Sequence, residues 1–136
     1  MNCKELVDIA LRHLSGWPLY QEDHKVLARE ISGGWWLGYQ SVQSELHFRY
    51  EYFDVNIIRD IFYVLDIGIR KRFRGKGYGA ALYKVLEAIA QDCQCKHVQM
   101  TPSGWTPSGE TRKDYLLKRG YQKYGVEVIK PLATRS

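Results

Sequence analysis

Three glycines at alternate positions, Gly75, Gly77 and Gly79, form the stretch of this sequence best suited to binding a ligand. They follow an apolar run, Ile61–Ile69, and precede a segment with apolar residues at helical spacing. They therefore lie where a buried strand ends and a helix begins. Glycine lets the backbone approach a ligand because it has no Cβ, and the first N–H groups of a helix lack intrahelical partners. The stretch predicts an anion site, with phosphate as its natural ligand.

Full positive charges accompany these glycines, since five cations lie within seven residues: Arg70, Lys71, Arg72, Arg74 and Lys76. The spacing is not that of a nucleotide P-loop, nor that of a dinucleotide-binding fold with an acidic residue about 20 positions on. Residues 74–79, Arg-Gly-Lys-Gly-Tyr-Gly, instead resemble the Arg/Gln-x-x-Gly-x-Gly/Ala signature of the GCN5-related N-acetyltransferases, the GNAT superfamily. A glycine-rich turn with a solvated basic flank is the alternative.

The resemblance implies that acetyl-CoA is the cosubstrate. In that family the loop wraps the pyrophosphate of acetyl-CoA, and the preceding strand pairs with its pantetheine arm through backbone groups. Carried over to this chain, the resemblance implies the cofactor-binding residues Ile67, Gly68, Ile69, Arg74, Gly75, Lys76, Gly77, Tyr78 and Gly79. It also implies an α/β (α+β) fold, in which helices flank a mixed, largely antiparallel twisted sheet.

Length and composition predict a single domain over residues 1–136 that is large enough for a hydrophobic core. No apolar run reaches the 18 or so residues of a membrane span, so we expect no membrane partner. The three cysteines and four scattered histidines show no metal-ligand spacing, and they favour free thiols in a cytoplasmic protein without a metal. The basic cluster accounts for much of the net charge of +5, so a nucleic-acid partner is not expected.

Helical spacing predicts a first helix over residues 2–15, capped by Asn2, and a second over about 22–31 that ends at Gly33-Gly34. The family usually places a strand before its first helix, and this chain has no room for one. The first strand is therefore expected to be missing. The result would be an open sheet edge, or an edge covered by a partner subunit in a homodimer.

Strands begin at Trp35, and residues 45–53 alternate between apolar and polar side chains. This alternation predicts a half-buried strand whose two faces divide the side chains into an apolar and a polar row. Asp54 and Asn56 are expected to form the turn before the strand at 61–69. The apolar row is Leu46, Phe48, Tyr50 and Tyr52, and the polar row is Glu45, His47, Arg49 and Glu51.

Near its end the chain carries a second, weaker similarity to the family, whose last helix often reads Phe/Leu-Tyr-x-Lys-x-Gly-Phe. Lys118, Gly120 and Tyr121 match this motif, but Leu116 occupies the usual tyrosine position. Tyr115 lies one residue earlier, about 100° around an ideal helix. A π-bulge would bring it back toward the site. On this basis Tyr115 is expected to be the acid that protonates the departing thiolate.

Acetyl transfer to an amine also needs a base and a donor for the developing oxyanion. Backbone N–H groups near Ile67 or Ile69 are the expected oxyanion donors. Asp66 is the expected base, since burial in an apolar strand would raise its pKa, although an aspartate that only stabilises the sheet is an alternative. Other candidates for the base are Glu45, His47 and Glu51, whereas Cys93 and Cys95 are too far along the helix to serve as nucleophiles.

The resemblance implies an acetyl-CoA-dependent N-acetyltransferase, which transfers the acetyl group directly to a primary amine. The acceptor could be a lysine or N-terminus of a protein, or a small amine. The alternative is a non-catalytic module that binds CoA or a protein partner on the same scaffold. Leu116 at the usual tyrosine position and the missing first strand favour this alternative. The intact glycine loop favours the enzyme.

Overall fold

A computed structural model describes residues 1–43 and 48–133 of the chain. These residues form three α-helices, seven strands and one short 3₁₀ turn. In chain order they are α1 (Cys3–Leu14), β1 (Lys25–Ile31), β2 (Gly34–Gln43), β3 (Phe48–Ile58), β4 (Ile61–Gly68), the 3₁₀ turn (Lys71–Phe73), α2 (Tyr78–Asp92), β5 (His97–Met100), α3 (Arg112–Leu117), β6 (Gln122–Tyr124) and β7 (Glu127–Pro131).

All seven strands belong to one sheet with the order β1-β2-β3-β4-β5-β7-β6. Every neighbouring pair is antiparallel except β4 and β5, which are parallel. A parallel pair needs a long crossover connection, and α2 provides it. The sheet is therefore mixed and largely antiparallel, and helices flank it, as expected from the sequence.

The core lies between the sheet and the helices. Strand side chains that alternate along β3, such as Phe53 and Val55, are fully buried there. The apolar stripes of α1 and α2 pack into the same core. The predicted cap of α1 is confirmed, since Asn2 Oδ1 accepts a hydrogen bond of 2.9 Å from Glu5 N. The helix predicted after the glycines is α2, whose buried residues include Leu82, Leu86 and Ile89.

The prediction of a helix over residues 22–31 is wrong, because residues 25–31 form strand β1. Val26 and Ala28 pack against the core, whereas the side chain of Leu27 between them is 52% exposed. Gly33 has a φ of +81° and lets the chain return as β2, with Ile31 opposite Gly34. Among the described residues no strand precedes α1, as expected, and β1 forms one edge of the sheet beside β2.

Strand β3 differs from its prediction in both its end and its buried face. Asp54 and Asn56 lie within the strand, and the chain turns at Arg59 and Asp60 instead. The alternation continues to Ile58, but Glu51 belongs to the buried row, and Tyr50 and Tyr52 are only partly buried. Three residues of the predicted rows lie outside the described residues, namely Glu45, Leu46 and His47.

Within the described residues, none of the helices is long and apolar enough to cross a membrane.

Candidate active site

Strand β4 continues beyond the end of its neighbour β5, beside a bulge in β4, and we call the free side of β4 from there onward the slot. The two strands pair along residues 61–64 of β4 and 97–100 of β5. Val64 lies opposite Val55 on β3 and Asp66 lies opposite Asp54, so Leu65 is the extra residue of the bulge. From Leu65 onward, β4 has no strand on its β5 side among the described residues. Its backbone there can pair with an extended ligand.

Gly68, the last residue of β4, is required by packing within the sheet. An ideal Cβ on Gly68 would lie 2.4 Å from a ring carbon of Tyr52. The phenol ring of Tyr52 therefore lies against the backbone of β4 at the end of the slot that adjoins the cofactor loop. Any side chain larger than hydrogen at this position would displace that ring.

The cofactor loop, residues 70–79, connects the slot to the start of α2. Gly75 and Gly77 have φ values of +77° and +84°, a backbone region that glycine adopts without strain. Gly77 is the N-cap of α2, and the first helical hydrogen bond runs from Ala81 N to Gly77 O at 3.1 Å. The N–H groups of residues 78–80 precede that bond, so they and the helix dipole face the loop.

Space for a ligand is present at the same point, since an ideal Cβ on Gly77 would meet no atom within 4 Å. The loop between β5 and α3 borders it, because Pro107 lies 3.8 Å from the ideal Cβ position of Gly75. That loop also carries Trp105, which is 69% exposed. The backbone N–H groups and the open space fit a pyrophosphate.

Arg70 does not face this anion site. The prediction that all five cations add their charge to the site is therefore wrong for Arg70. Its Nη2 and Nε donate hydrogen bonds of 2.7 and 2.9 Å to the two carboxylate oxygens of Glu51, and its backbone N donates to the same group. The hydrogen bond to Glu51 raises the pKa of Arg70. The guanidinium also lies 4.2 Å from the ring centroid of Tyr50. The remaining cations of the loop are exposed: Lys71, Arg72, Arg74 and Lys76.

Glu51 is the buried carboxylate of this region, with 1% of the residue exposed. The hydroxyl of Ser41 accepts a hydrogen bond of 2.7 Å from Glu51 N. Both carboxylate oxygens of Glu51 bind Arg70. Glu51 was a secondary candidate for the catalytic base. The structure assigns it to the anchoring of β3 to the cofactor loop.

Asp66 is exposed, so the expectation that the apolar strand buries it is wrong. Its Oδ1 accepts a hydrogen bond of 2.9 Å from Ile67 N, as the structural alternative had it. Ile67 N is also one of the two expected oxyanion donors. Asp66 and this donor therefore lie side by side on the part of β4 that borders the slot. The role of Asp66 as a base remains a prediction.

The segment after α1 reaches the cofactor loop, and the sequence analysis missed this contact. Trp17 Nε1 donates a hydrogen bond of 3.0 Å to Tyr78 O at the start of α2. His24 Nδ1 and Tyr39 Oη are hydrogen-bonded, and burial lowers the pKa of His24 and raises that of Tyr39. The helical spacing of residues 2–15 does not reveal these contacts, although a tryptophan directly after a helix is a signal for packing.

Tyr115 lies in the cleft between α2 and α3. The π-bulge that would bring Tyr115 toward the site is absent from α3, since Tyr115 N and Lys118 N donate to carbonyls four residues earlier. The ring of Tyr115 is 6.1 Å from that of Tyr83 on α2, and the guanidinium of Arg119 lies 3.6 Å from its centroid. Leu116, at the usual tyrosine position, is fully buried in the core. The role of Tyr115 as an acid remains a prediction.

The two cysteines at the end of α2 are poor nucleophiles, as the sequence suggested. Burial raises the pKa of the Cys93 thiol to about 11 and that of the Cys95 thiol to about 12. Both thiols are thus protonated at neutral pH. In residues 1–43 and 48–133, no group of three or more His, Cys, Asp or Glu side chains is arranged to hold a metal ion.

Similar structures share this fold. The chain superimposes on the archaeal Methanocaldococcus infernus Elp3 with a TM-score of 0.57 and 17% identity, over 91% of this chain and 34% of that one. It thus spans about a third of that protein. An acetyltransferase from Bacillus cereus gives a TM-score of 0.53 and 15% identity, over 95% of this chain and 91% of that one. Nourseothricin acetyltransferase gives 0.52 and 11%, over 84% and 87%.

No curated protein sequence matches the chain significantly. The model of the Acetyltransferase (GNAT) family, however, matches residues 35–108. This match covers β2–β5, the bulge, the cofactor loop and α2, which is more than half of the 136-residue chain. The chain therefore belongs to the GNAT family of acetyltransferases.

Proposed function

We propose that this protein transfers the acetyl group of acetyl-CoA directly to a primary amine. The slot beside β4 carries the proposal, because it leads directly into a glycine loop whose helix N-terminus can hold a pyrophosphate. An extended thioester arm fits the first feature and a doubly charged phosphate group fits the second. The acceptor class, a protein lysine or N-terminus or a small amine, is part of the proposal.

Backbone groups would hold most of the cosubstrate. The N–H groups of residues 78–80 would bind the pyrophosphate, and the exposed cations Arg74 and Lys76 would add charge. Ile67, Gly68 and Ile69 would pair with the pantetheine arm along the free side of β4. Acetyl-CoA supplies the electrophilic thioester carbon. Whatever side chains surround the loop, these backbone contacts depend only on the bulge and on the left-handed glycines.

Asp66 and Tyr115 are the proposed proton carriers. Asp66 lies next to Ile67 N and is exposed, so it could accept a proton from an incoming ammonium directly or through water. Movement of its carboxylate toward the amine would free Ile67 N to donate to the developing oxyanion. Tyr115 would protonate the departing thiolate. A cytoplasmic location and a homodimer also remain predictions.

A non-catalytic CoA-binding module is the second candidate, and one specific observation favours it. Leu116 is buried at the position where the family usually has tyrosine, and the regular hydrogen bonding of α3 keeps Tyr115 on the side of α2. Such a protein would keep the cofactor loop and lack an acid at the thiol. Binding and turnover therefore have to be measured separately.

The first experiment is a thermal-shift titration with acetyl-CoA and CoA. Ligand at about 100 times its dissociation constant should stabilise the fold by about 2.7 kcal/mol. Lys76→Glu reverses an exposed charge in the loop, and it should raise the dissociation constants of acetyl-CoA and CoA at least tenfold. Lys123→Glu, the same change on strand β6, is the matched control and should respond like the wild type.

Turnover is then tested by release of free thiol from acetyl-CoA with a panel of primary amines and lysine peptides. Thiol release that depends on an amine supports the transferase. Binding of both ligands without release for any amine would favour the binding module. If neither ligand raises the melting temperature, both candidates fail.

A further inference from the structure

Strand β1 (Lys25–Ile31) forms one edge of the sheet, and among the described residues no strand lies on its outer side. The backbone N–H and C=O groups of alternate residues point to that side, where they can pair with another strand. The opposite edge of the sheet is β6, which has only three residues. With its seven residues, β1 is therefore the edge with the greater capacity for pairing.

Strand β1 lacks most of the features that protect a sheet edge from pairing. It contains no proline, and its seven residues pair with β2 in an unbroken register, so it has no bulge. Charged side chains are the remaining protective feature. Arg29, the charge nearest the middle of the strand, lies over the ring of Trp36 on β2, 4.5 Å from the ring centroid. Its guanidinium thus leans onto its own sheet and leaves the edge accessible.

An exposed hydrophobic side chain lies beside these backbone groups. Leu27 is 52% exposed, whereas Val26 and Ala28 on either side of it pack against the core. A single exposed leucine needs no explanation by itself. Next to an open edge, however, it adds apolar surface that a second strand would cover.

The sequence of β1 is self-complementary in one register. A two-fold axis normal to the sheet places opposite residues of two copies on the same face, so the axis must pass through a residue. An axis through Ala28 pairs all seven residues of each strand. The opposite pairs are then Ala28–Ala28, Leu27–Arg29, Val26–Glu30 and Lys25–Ile31. No two like charges are opposite each other in this register.

The neighbouring axes on the same face pattern are less favourable. An axis through Leu27 pairs only residues 25–29 and places Lys25 opposite the partner's Arg29. An axis through Arg29 pairs only residues 27–31 and places Arg29 opposite the partner's Arg29. Like charges directly opposite each other destabilise a pair of strands. Shorter overlap and charge repulsion both favour the axis through Ala28.

We propose that β1 is the interface with a second copy of this chain, paired antiparallel about Ala28, so that the two sheets continue as one. The aliphatic stem of the partner's Arg29 covers Leu27, and the outward backbone groups of the two strands bond to each other. This assigns a surface and a register to the predicted homodimer. The interface is three strands, about 14 Å, from the slot on β4, so the inference does not depend on the proposed function.

Analytical ultracentrifugation over a range of protein concentrations measures the dissociation constant of the dimer. The wild type should dimerise, and Leu27→Lys should raise this constant at least tenfold, because the symmetry places two new lysines opposite two arginines. Val126→Lys makes a similar change at a residue that is 80% exposed on the β6–β7 turn, and as the matched control it should dimerise like the wild type. Both variants should keep the melting temperature of the monomer fold, since both side chains are exposed.

Cysteine cross-linking tests the register, in a Cys3→Ser background because Cys3 is exposed. A mixture of Leu27→Cys and Arg29→Cys should give a covalent dimer on oxidation, since these two side chains are opposite each other. Neither variant alone should do so. A covalent dimer from Leu27→Cys alone would place the axis at Leu27 and overturn the proposed register.

Two results of the ultracentrifugation would overturn the interface. One is a wild type that stays monomeric at every concentration, which would leave the edge to a different chain. The other is a dimer that Leu27→Lys leaves intact, which would place the contact on another surface. Neither result bears on the transferase, because the thermal-shift titration measures CoA binding separately. Failure of both ligands in that titration would overturn the proposed function and leave the interface supported.

Discussion

Two carboxylates on neighbouring strands have exchanged the environments that their sequence context suggested. Glu51 on β3 belongs to an alternating polar row that indicates a solvated face, yet it is buried and bound to Arg70. Asp66 on β4 belongs to an apolar run that indicates burial, yet it is exposed beside the slot. Alternation reveals that a strand has two faces, but packing decides which face is covered. A charge within an apolar strand can thus mark the place where the sheet opens.

The largest effect expected from this comparison is on stability. Glu51→Ala removes the partner of Arg70 and leaves a partly buried cation without compensation, at a cost of about 3 kcal/mol in the free energy of unfolding. Urea denaturation measures this change. Glu110→Ala, which breaks the exposed pair with Lys118, is the control and should cost at most about 0.5 kcal/mol. Similar losses for both variants would show that the Glu51–Arg70 pair does not anchor the loop.

The next effect is on activity, and it should come from the two proposed proton carriers without loss of stability. Asp66→Asn and Tyr115→Phe remove the proposed base and acid, so each should lower kcat about 100-fold or more. The melting temperature and the CoA dissociation constant should stay close to those of the wild type, because Asp66 is exposed and Tyr115→Phe keeps the ring that packs near Tyr83. A full kcat in Asp66→Asn would assign that carboxylate to the sheet alone.

The smallest effect expected is a pH dependence beside Glu51. Burial is the main cause that lowers the pKa of His24 below its ordinary value of 6.5, so the folded state favours the neutral ring. The unfolded chain binds a proton more readily, and stability should therefore fall as the pH drops below about 6.5. His24→Asn should show a shallower fall between about pH 7.5 and 5.5 in thermal melts. Equal slopes in the two proteins would exclude His24 as the cause.

Most of the cofactor loop could be predicted because it depends on local properties. Gly75 and Gly77 have positive φ values, and α2 begins directly after Gly77. The motif did not reveal that Arg70 turns away from the loop. Its partner Glu51 is 19 residues away, and no local pattern reports a contact between a strand and a later loop.

Errors arose where a short pattern fits two structures. Val26, Leu27 and Ile31 satisfy helical spacing, but they also fit a strand, and pairing with β2 decides for the strand. Asp54 and Asn56 are common in turns, yet the buried side chains of Phe53, Val55 and Ile57 extend β3 through them. In both cases the burial of apolar residues against distant elements outweighs a local propensity.

By itself, the sequence determined the GNAT signature, the strand-loop-helix unit around it, the cap of α1 and the distance of Cys93 and Cys95 from the glycine loop. These features follow from residue types and their spacing within one or two elements. The tertiary structure alone decided which carboxylate is buried, that Arg70 turns away from the anion site, and where Tyr115 lies. Each of these depends on contacts between residues far apart in the chain, because burial and ion pairing are properties of the packed sheet and helices.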